Sequence, residues 1–322
     1  MPSSPDAAVP MTSDLPHEGP AGASATPGAP QPAPAAAPEP PQLTRGMKGY
    51  KRSRIGRNLA AAIGVGVGLG AVILLSLLIV PQWFVLVLAV CTVVATWELA
   101  GALRRGADIR VSLPVLLVGG QAIVWFSWPY GLHGALTALT GTVLAILLWR
   151  MRSGAAHFVR DMSASLFVAV YVPLFVAFAV QMTVAPQGIG RVLTFLLCVV
   201  ASDVGGYAAG VVAGRHPMAP TISPKKSWEG FAGSLAAGAI TGSLCVALFF
   251  GAPWYWGTVV GLLLVATATL GDLVESLVKR DLGIKDMGHL LPGHGGLLDR
   301  MDSLLPAAFV AWAALGVVVP VG

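Results

Sequence analysis

Nine apolar segments follow one another along this chain between residues 59 and 321. Each has about 17–25 residues, the length that an α-helix needs to cross the hydrocarbon core of a bilayer. Hydrophobic residues make up 55% of the 322 residues and charged residues 11%, less than half the charge of an average soluble domain. We therefore predict an all-α polytopic membrane protein with about nine transmembrane helices. The predicted spans are about 59–80, 82–103, 111–129, 132–149, 163–185, 191–213, 231–250, 254–271 and 303–321.

The same composition excludes a wholly disordered chain, a secreted disulfide scaffold and an ordinary cytosolic enzyme. The three cysteines, Cys91, Cys198 and Cys245, lie inside apolar segments and show no CxxC spacing. We interpret them as small buried hydrophobic residues and predict neither a zinc site nor a disulfide.

Residues 1–44 differ in composition from the rest of the chain, since they contain twelve of its 24 prolines and no lysine or arginine. Such a segment buries too little apolar surface to offset the entropy of ordering, so we predict a disordered Pro/Ala-rich N-terminal tail. The tail lacks the basic start and the apolar core of a signal peptide. Partner docking through polyproline II segments and an inert tether are both open for it.

A basic juxtamembrane segment, residues 45–58, follows the tail and contains six lysines and arginines. It could bind a nucleic acid or an anionic leaflet, but beside an apolar span it is typical of an anchor at the cytoplasmic headgroups. With the N-terminus in the cytoplasm, 19 of the chain's 20 lysines and arginines fall in cytoplasmic segments, and only Arg191 lies on the opposite side. We therefore predict a multi-pass protein of a bacterial-type inner (plasma) membrane, with a cytoplasmic N-terminus and no nucleic-acid partner. The predicted cytoplasmic segments are 1–58, 104–110, 150–162, 214–230 and 272–302.

Acidic residues concentrate in the C-terminal half, where eight of the eleven that follow the tail lie between Asp203 and Asp302. Asp272 with Glu275, and Asp299 with Asp302, are spaced i, i+3, so each pair shares a face of a helix. Two carboxylate pairs at neighbouring helix ends suit Mg²⁺, which prefers one or two carboxylates together with substrate phosphates. A salt-bridge network that stiffens the loop is the alternative.

Cations lie in the same two cytoplasmic segments. Lys225 and Lys226, flanked by serines, are either a phosphate clamp or an ordinary positive-inside anchor. His289 and His294 lack metal-binding spacing, so hydrogen bonding to phosphate or packing fits them better. Asp203 lies about half-way along an apolar span, where a carboxylate either serves a functional site or pairs with a hydroxyl of another helix. The remaining cations are Lys279, Arg280, Lys285 and Arg300.

Residues 200–302 resemble the signature region of one family, the phosphatidate cytidylyltransferases, also called CDP-diacylglycerol synthases. The family pattern is Ser-x-x-Lys-Arg, four residues, Lys-Asp, and then a Gly-rich turn with His-Gly-Gly and Asp-Arg-x-Asp. Two stretches outside the pattern, Ser223–Gly230 and Gly271–Ser276, also look like the family. The matched positions are Ser276, Lys279, Arg280, Lys285, Asp286, Gly288, Pro292, His294, Gly295, Gly296, Asp299, Arg300 and Asp302.

This resemblance implies an enzyme that transfers CMP from CTP to phosphatidic acid, giving CDP-diacylglycerol and pyrophosphate for phospholipid biosynthesis. It also implies Mg²⁺ as cofactor, a homodimer among membrane lipids, and a cytosol-facing polar cavity in a transmembrane domain over residues 59–322. Whether a monovalent cation joins Mg²⁺ is open.

The resemblance also implies roles for individual residues. The expected metal ligands are Asp272, Asp299, Asp302 and Glu275. The expected catalytic residues are Asp272, Asp299, Lys279, Arg280 and Arg300, the three cations binding the lipid phosphate or the triphosphate. The expected substrate-binding residues are Ser223, Lys225, Lys226, Lys285, His294, Gly295, Gly296 and Asp203.

Two other functions fit parts of the sequence. A CTP-dependent lipid kinase would need similar loops and spans, but it would release CDP where a cytidylyltransferase releases pyrophosphate. A transporter would use Asp203 and the loop carboxylates as an ion path, but such proteins show internal repeats and midplane sites, whereas the polar residues here crowd one side of the membrane.

Overall fold

The computed structural model describes residues 53–152, 154–290 and 295–319, with side chains from Gly64 onward except Val65. These residues are almost entirely helical, and one short β-hairpin interrupts them. The elements are α1 Ser53–Ile79, α2 Pro81–Ala107, α3 Leu113–Met151, α4 Phe158–Ala169, a π-helical turn Val170–Leu174, α5 Phe175–Val184, α6 Gly188–Ala213, β1 Pro217–Ala219, β2 Ser223–Ser227, α7 Trp228–Phe250, α8 Trp254–Asp281, α9 Leu298–Met301 and α10 Leu304–Val318.

Seven helices in the described part of the chain are long and apolar enough to cross a membrane, which confirms the predicted all-α polytopic fold. The first predicted span, 59–80, contributes the shorter apolar helix Gly66–Ile79. The predicted number of nine spans therefore stays a prediction. The seven helices are Pro81–Ala107, Leu113–Met151, Phe158–Val184, Gly188–Ala213, Trp228–Phe250, Trp254–Asp281 and Leu298–Val318.

Helix α3 is a hairpin of two helical arms that meet at Gly131. This residue has φ 57° and ψ −143°, a conformation that glycine adopts without the steric cost of a Cβ. The two arms lie side by side. Gly119 of the first arm and Thr142 of the second are so close that a Cβ on Gly119 would collide with the Thr142 side chain. In a straight helix these two residues would lie about 35 Å apart. The reversal falls at the boundary that the sequence predicts between its third and fourth spans.

Proline, serine and glycine set several helix ends. Pro81 and Pro114 occupy the first turns of α2 and α3, where the missing N–H removes no helical hydrogen bond. At the start of α7, the Ser227 hydroxyl oxygen accepts a hydrogen bond from the Gly230 N–H at 3.1 Å. Gly251 ends the same helix with φ 64°, a left-handed conformation typical of a helix C-terminus.

Helices α6, α7 and α8 pack backbone to backbone through glycines. A Cβ on Gly206 of α6 would collide with Ser234 of α7, and a Cβ on Gly261 of α8 would collide with the carbonyl oxygen of Gly238 of α7. Close approach through small residues is the usual way for helices to associate in lipid, where no hydrophobic force drives them together. This packing holds both α6 and α8 against α7.

The predicted cytoplasmic segments after α2, α6 and α8 meet at one end of the helices. The guanidinium of Arg105 donates to the carbonyl oxygen of Met287 at 2.8 Å, and Nε of Arg280 donates to that of Ile222 at 3.4 Å. Arg191 lies at the opposite end, where it donates to carbonyl oxygens at the end of α10. The three segments and Arg191 therefore lie at opposite ends of the helices, as the charge distribution predicts.

The predicted disordered tail, residues 1–44, lies outside the described residues, as does most of the basic segment 45–58. All three cysteines are free in the described part of the chain. Cys198 and Cys245 are buried, and Cys91 is half-buried.

Candidate active site

A polar cavity of about 380 Å³ lies where α6, α7, α8 and the β-hairpin meet. Its wall includes four residues that the sequence predicts for the site: Asp203, Lys225, Lys226 and Asp272. These residues come from three separate segments of the chain, and the packing of α6 and α8 on α7 brings them together. The other polar residues of the wall are Ser202, Tyr207, Ser227, Ser234 and Thr269.

The β-hairpin carries the lysine pair to the mouth of this cavity. Strand β2 pairs antiparallel with β1 and leads directly into α7. Lys225 and Lys226 therefore lie close to the start of that helix. Nζ of Lys226 forms an ion pair with Oδ2 of Asp272 at 2.5 Å, and both side chains stay partly exposed to solvent. A partly solvated pair contributes little stability, so an anionic ligand can compete for the lysine.

Asp203, Asp272, Glu275 and Asp302 form one group of carboxylates, which we call the acidic cluster. Asp203 interacts electrostatically with Asp272 and Asp302, and the carboxyl groups of Glu275 and Asp302 lie within hydrogen-bonding reach of each other. Two carboxyl groups in such contact need a shared proton or a cation between them. Three of the four predicted metal ligands thus belong to this cluster, together with Asp203, which the sequence places on the substrate side.

The acidic cluster fits a divalent cation in part. Glu275 is 1% exposed, and its Oε1 is buried with no hydrogen-bond partner among the described residues. A buried carboxylate oxygen that receives no hydrogen bond and lies beside a second carboxyl group has the chemistry of a ligand for a hard cation. Across the described ranges, no three His, Cys, Asp or Glu side chains are arranged to hold an ion by themselves.

Residues 282–297, between α8 and α9, are called the signature loop here, and the structure describes all of them except 291–294. Asp299, the fourth predicted metal ligand, holds this loop. Its two carboxylate oxygens accept hydrogen bonds from the backbone N–H groups of Met287 and Gly296, and Oδ1 lies 3.1 Å from Nζ of Lys279. Lys279 also contacts Oε2 of Glu275 at 2.6 Å. Asp299 could bind a metal ion only by giving up some of these contacts. In this structure it closes the loop, and Lys279 joins the loop to the acidic cluster.

A sequence model of the family described as "Cytidylyltransferase family" matches residues 60–318 of the chain. The chain belongs to the cytidylyltransferase family. The match contains the cavity, the acidic cluster and the signature loop, and it confirms the resemblance noted in the sequence.

Curated relatives agree with this family. A protein of Mycobacterium bovis named phosphatidate cytidylyltransferase is 49% identical over 292 residues, which cover 85% of this chain and 94% of the relative. A protein of Mycobacterium leprae with the same name is 46% identical over 294 residues, again covering 85% and 94%. One of Brucella melitensis, also with that name, is 49% identical over 118 residues, which cover 36% of this chain and 43% of the relative.

Within this member of the family, Glu98 of α2 lies against the signature loop, a contact that the sequence did not predict. It is 2% exposed, and its Oε2 accepts a hydrogen bond from the N–H of Leu298 at 2.9 Å. A Cβ on Gly288 or Gly296 would collide with the Glu98 carboxylate, so the loop backbone lies directly against it. The sequence signal for a paired Glu98 is its charge within an otherwise apolar span, since burying a carboxylate there is costly unless it is paired.

Tyr171 was also missed, because nothing in its sequence context marks it. It lies in the π-helical turn that contains Pro173, and such turns are frequent at functional sites. Tyr171 is 7% exposed, and no described group forms a hydrogen bond with its hydroxyl. The hydroxyl interacts electrostatically with Glu275 and Asp302, so it lies close to the acidic cluster.

Other predicted residues lie around the cavity rather than in its wall. Ser223 begins β2, and Lys285 is exposed on the signature loop. Gly295 has φ 80°, a conformation that favours glycine, which explains the residue at this turn. His294 lies outside the described residues. Arg300 interacts electrostatically with Asp203.

Proposed function

We propose that this chain transfers CMP from CTP to phosphatidic acid, giving CDP-diacylglycerol and pyrophosphate. The observation that carries the proposal is the polar cavity described above, whose wall contains Lys225 and Lys226 together with Asp203 and Asp272 of the acidic cluster, at the end of apolar helices. The name shared by relatives that align over 85% of the chain supports the same reaction.

The chemistry follows from the charges of the two substrates. An oxygen of the lipid phosphate attacks the α-phosphorus of CTP, a new P–O bond forms, and the bond to the β-phosphate oxygen breaks to release pyrophosphate. The protein forms no covalent bond in this scheme, so positioning and charge neutralisation account for the rate. Lys225 and Lys226 would bind the nucleotide phosphates, and the phosphates would draw Lys226 away from Asp272.

The acidic cluster would hold the cofactor. We propose that Asp272 and Asp302, with the open oxygen of Glu275 beside them, bind Mg²⁺, which supplies charge neutralisation at the phosphates when bound. Lys279 and Asp299 keep the signature loop against the cluster. The Tyr171 hydroxyl would donate a hydrogen bond to a phosphate oxygen or to a water molecule there.

Orientation and assembly belong to the same proposal. We infer an inner (plasma) membrane location with a cytoplasmic N-terminus, because the positive-inside distribution puts 19 of 20 lysines and arginines on one side. The polar cavity would then open to the cytosol, where CTP is found. The homodimer implied by the family resemblance is proposed on that ground alone.

A direct assay tests the reaction. Purified protein is incubated with cytidine-labelled CTP, phosphatidic acid and Mg²⁺, and both a lipid-extractable cytidine product and pyrophosphate are expected. Chelation of Mg²⁺ should abolish both products. Release of CDP with formation of a phosphorylated lipid would instead identify a lipid kinase and refute the proposal.

Two matched variants test the assignment of the metal ligands. Asp272→Asn should abolish CMP transfer and weaken Mg²⁺ binding, measured by titration of Mg²⁺ or Mn²⁺ on the folded protein. Asp299→Asn should also abolish CMP transfer, through loss of the loop contacts, but should leave ion binding largely intact. Equal loss of ion binding in both variants would place Asp299 among the ligands and contradict the loop role.

A further inference from the structure

A second cavity, which we call the apolar slot, lies between α1, α2, α5, α6 and the C-terminal helices. It is narrow, with a volume of about 90 Å³ against about 380 Å³ for the polar cavity. Its lining is mostly apolar and includes Leu88 and Cys91 of α2, Ala179 of α5 and Ala308 of α10. Of the described residues that line it, Arg300 alone carries a charge.

The apolar slot runs from the polar end of the protein into the membrane-spanning part. Its lining on the last span extends from Arg300 to Ala308, which corresponds to about 12 Å of helix. On α2 the lining reaches back to Phe84, toward the helix end opposite Arg105. The slot is therefore elongated along the helices, with its charged residue at the same end as the signature loop.

Arg300 connects the apolar slot with the polar cavity. It lines the slot, and its charge also interacts with Asp203 in the wall of the polar cavity. A ligand with an anionic head at Arg300 could therefore extend an apolar tail into the slot while its head faces the acidic cluster. A phosphate monoester suits the guanidinium, which forms strong paired hydrogen bonds to phosphate oxygens.

We propose that the apolar slot holds a segment of one acyl chain of the lipid substrate and that Arg300 binds the phosphate of the same molecule. This inference rests on the proposed function and adds to it how the lipid is oriented. An acyl chain in a bilayer is already in an apolar medium, so the slot gains little affinity from burial. Its contribution is positional: a chain held in the slot fixes the phosphate beside the nucleotide.

Photo-crosslinking tests the occupant directly. Phosphatidic acid with a diazirine on one acyl chain is added to the full chain in phosphatidylcholine vesicles, and labelled peptides are mapped by mass spectrometry. Labels are expected at Cys91 and Ala179, and excess plain phosphatidic acid should remove them, whereas added phosphatidylcholine should not. Labels confined to lipid-facing positions such as Val90, or slot labels that phosphatidylcholine removes equally well, would overturn the inference.

A blocking variant gives a second readout. Ala308→Leu fills the slot, and the ratio of kcat/KM for long-chain to short-chain phosphatidic acid should fall about tenfold, equivalent to about 1.4 kcal/mol of crowding. Val90→Leu, on the exposed face of α2, is the matched control and should keep the wild-type ratio. An unchanged ratio in Ala308→Leu would count against the slot. If wild-type protein in the same preparation makes no CDP-diacylglycerol, it is the proposed function that fails.

Discussion

Replacing Glu98 with alanine should weaken catalysis more than it weakens the fold. The carboxylate is buried on α2 and accepts the hydrogen bond from the N–H of Leu298, in the turn directly before Asp299. It also packs against the backbone of Gly288 and Gly296. Removing it frees the signature loop from α2 at the point where the loop meets the acidic cluster.

The size of the effect follows from the contact that is lost. A hydrogen bond to a charged acceptor contributes about 1.5–3 kcal/mol. If this stabilisation is lost from the ordered loop, the population of the active arrangement falls by about tenfold to a hundredfold, because about 1.4 kcal/mol corresponds to a factor of ten. We expect kcat/KM to fall by this factor for CTP and for phosphatidic acid alike, since both depend on the same loop.

The assay combines CMP transfer, thermal unfolding and hydrogen exchange of the loop amides. Glu98→Ala should speed exchange at residues 284–290 and 295–297 while the unfolding temperature changes little. Asp161→Ala is the control, because Asp161 is also buried and forms an ion pair with Arg150 at 2.8 Å, but lines neither cavity. It should lower the unfolding temperature without a comparable loss of turnover. Near-normal kcat/KM in folded Glu98→Ala protein, or an equal catalytic loss in both variants, would refute the reasoning.

Three further variants test separate parts of the structure. Tyr171→Phe should lower kcat about tenfold at an unchanged unfolding temperature, because it removes one buried hydroxyl beside the acidic cluster. Tyr130→Phe, at an exposed tyrosine, is its control, and a full kcat in Tyr171→Phe would exclude a role for the hydroxyl. Lys225→Ala should raise the KM for CTP and leave that for phosphatidic acid unchanged, and an unchanged CTP requirement would move the nucleotide clamp elsewhere. Gly261→Ala should lower the unfolding temperature in detergent, since its Cβ would meet the carbonyl oxygen of Gly238; an unaltered temperature would contradict the close packing of α7 and α8.

Hydropathy and charge predict most of this fold, because lipid leaves an apolar segment few structures other than a helix. The reversal at Gly131 lies where the sequence places a boundary between spans. The sequence does not show which helices contact one another. The packing of Gly206 on Ser234 and of Gly261 on Gly238 depends on tertiary geometry, and glycine spacing alone indicates only that a close approach is available.

The candidate site likewise has features that the sequence predicts and features that depend on tertiary geometry. The family resemblance predicts Asp203, Asp272 and the lysine pair as members of one polar site, and the structure brings them to one cavity. Asp299 has the residue type of a metal ligand, but spacing cannot show that its oxygens are taken up by backbone N–H groups and Lys279. Glu98 is about 200 residues from its partner Leu298, so no local pattern could reveal their contact.

The formal charges around the acidic cluster bear on the proposal that a divalent ion and a nucleotide bind at the same site. If every carboxyl group is ionised, the five carboxylates and three cations that interact there among the described residues leave a formal excess of two negative charges: Asp203, Asp272, Glu275, Asp299 and Asp302 against Lys226, Lys279 and Arg300. One divalent cation balances this excess, and burial makes the imbalance costly because charge is poorly screened away from water. Free phosphates would add negative charge and be repelled, whereas phosphates that arrive with Mg²⁺ would be attracted. The charge balance therefore favours the Mg²⁺ complex of CTP over free CTP as the ligand of this cavity.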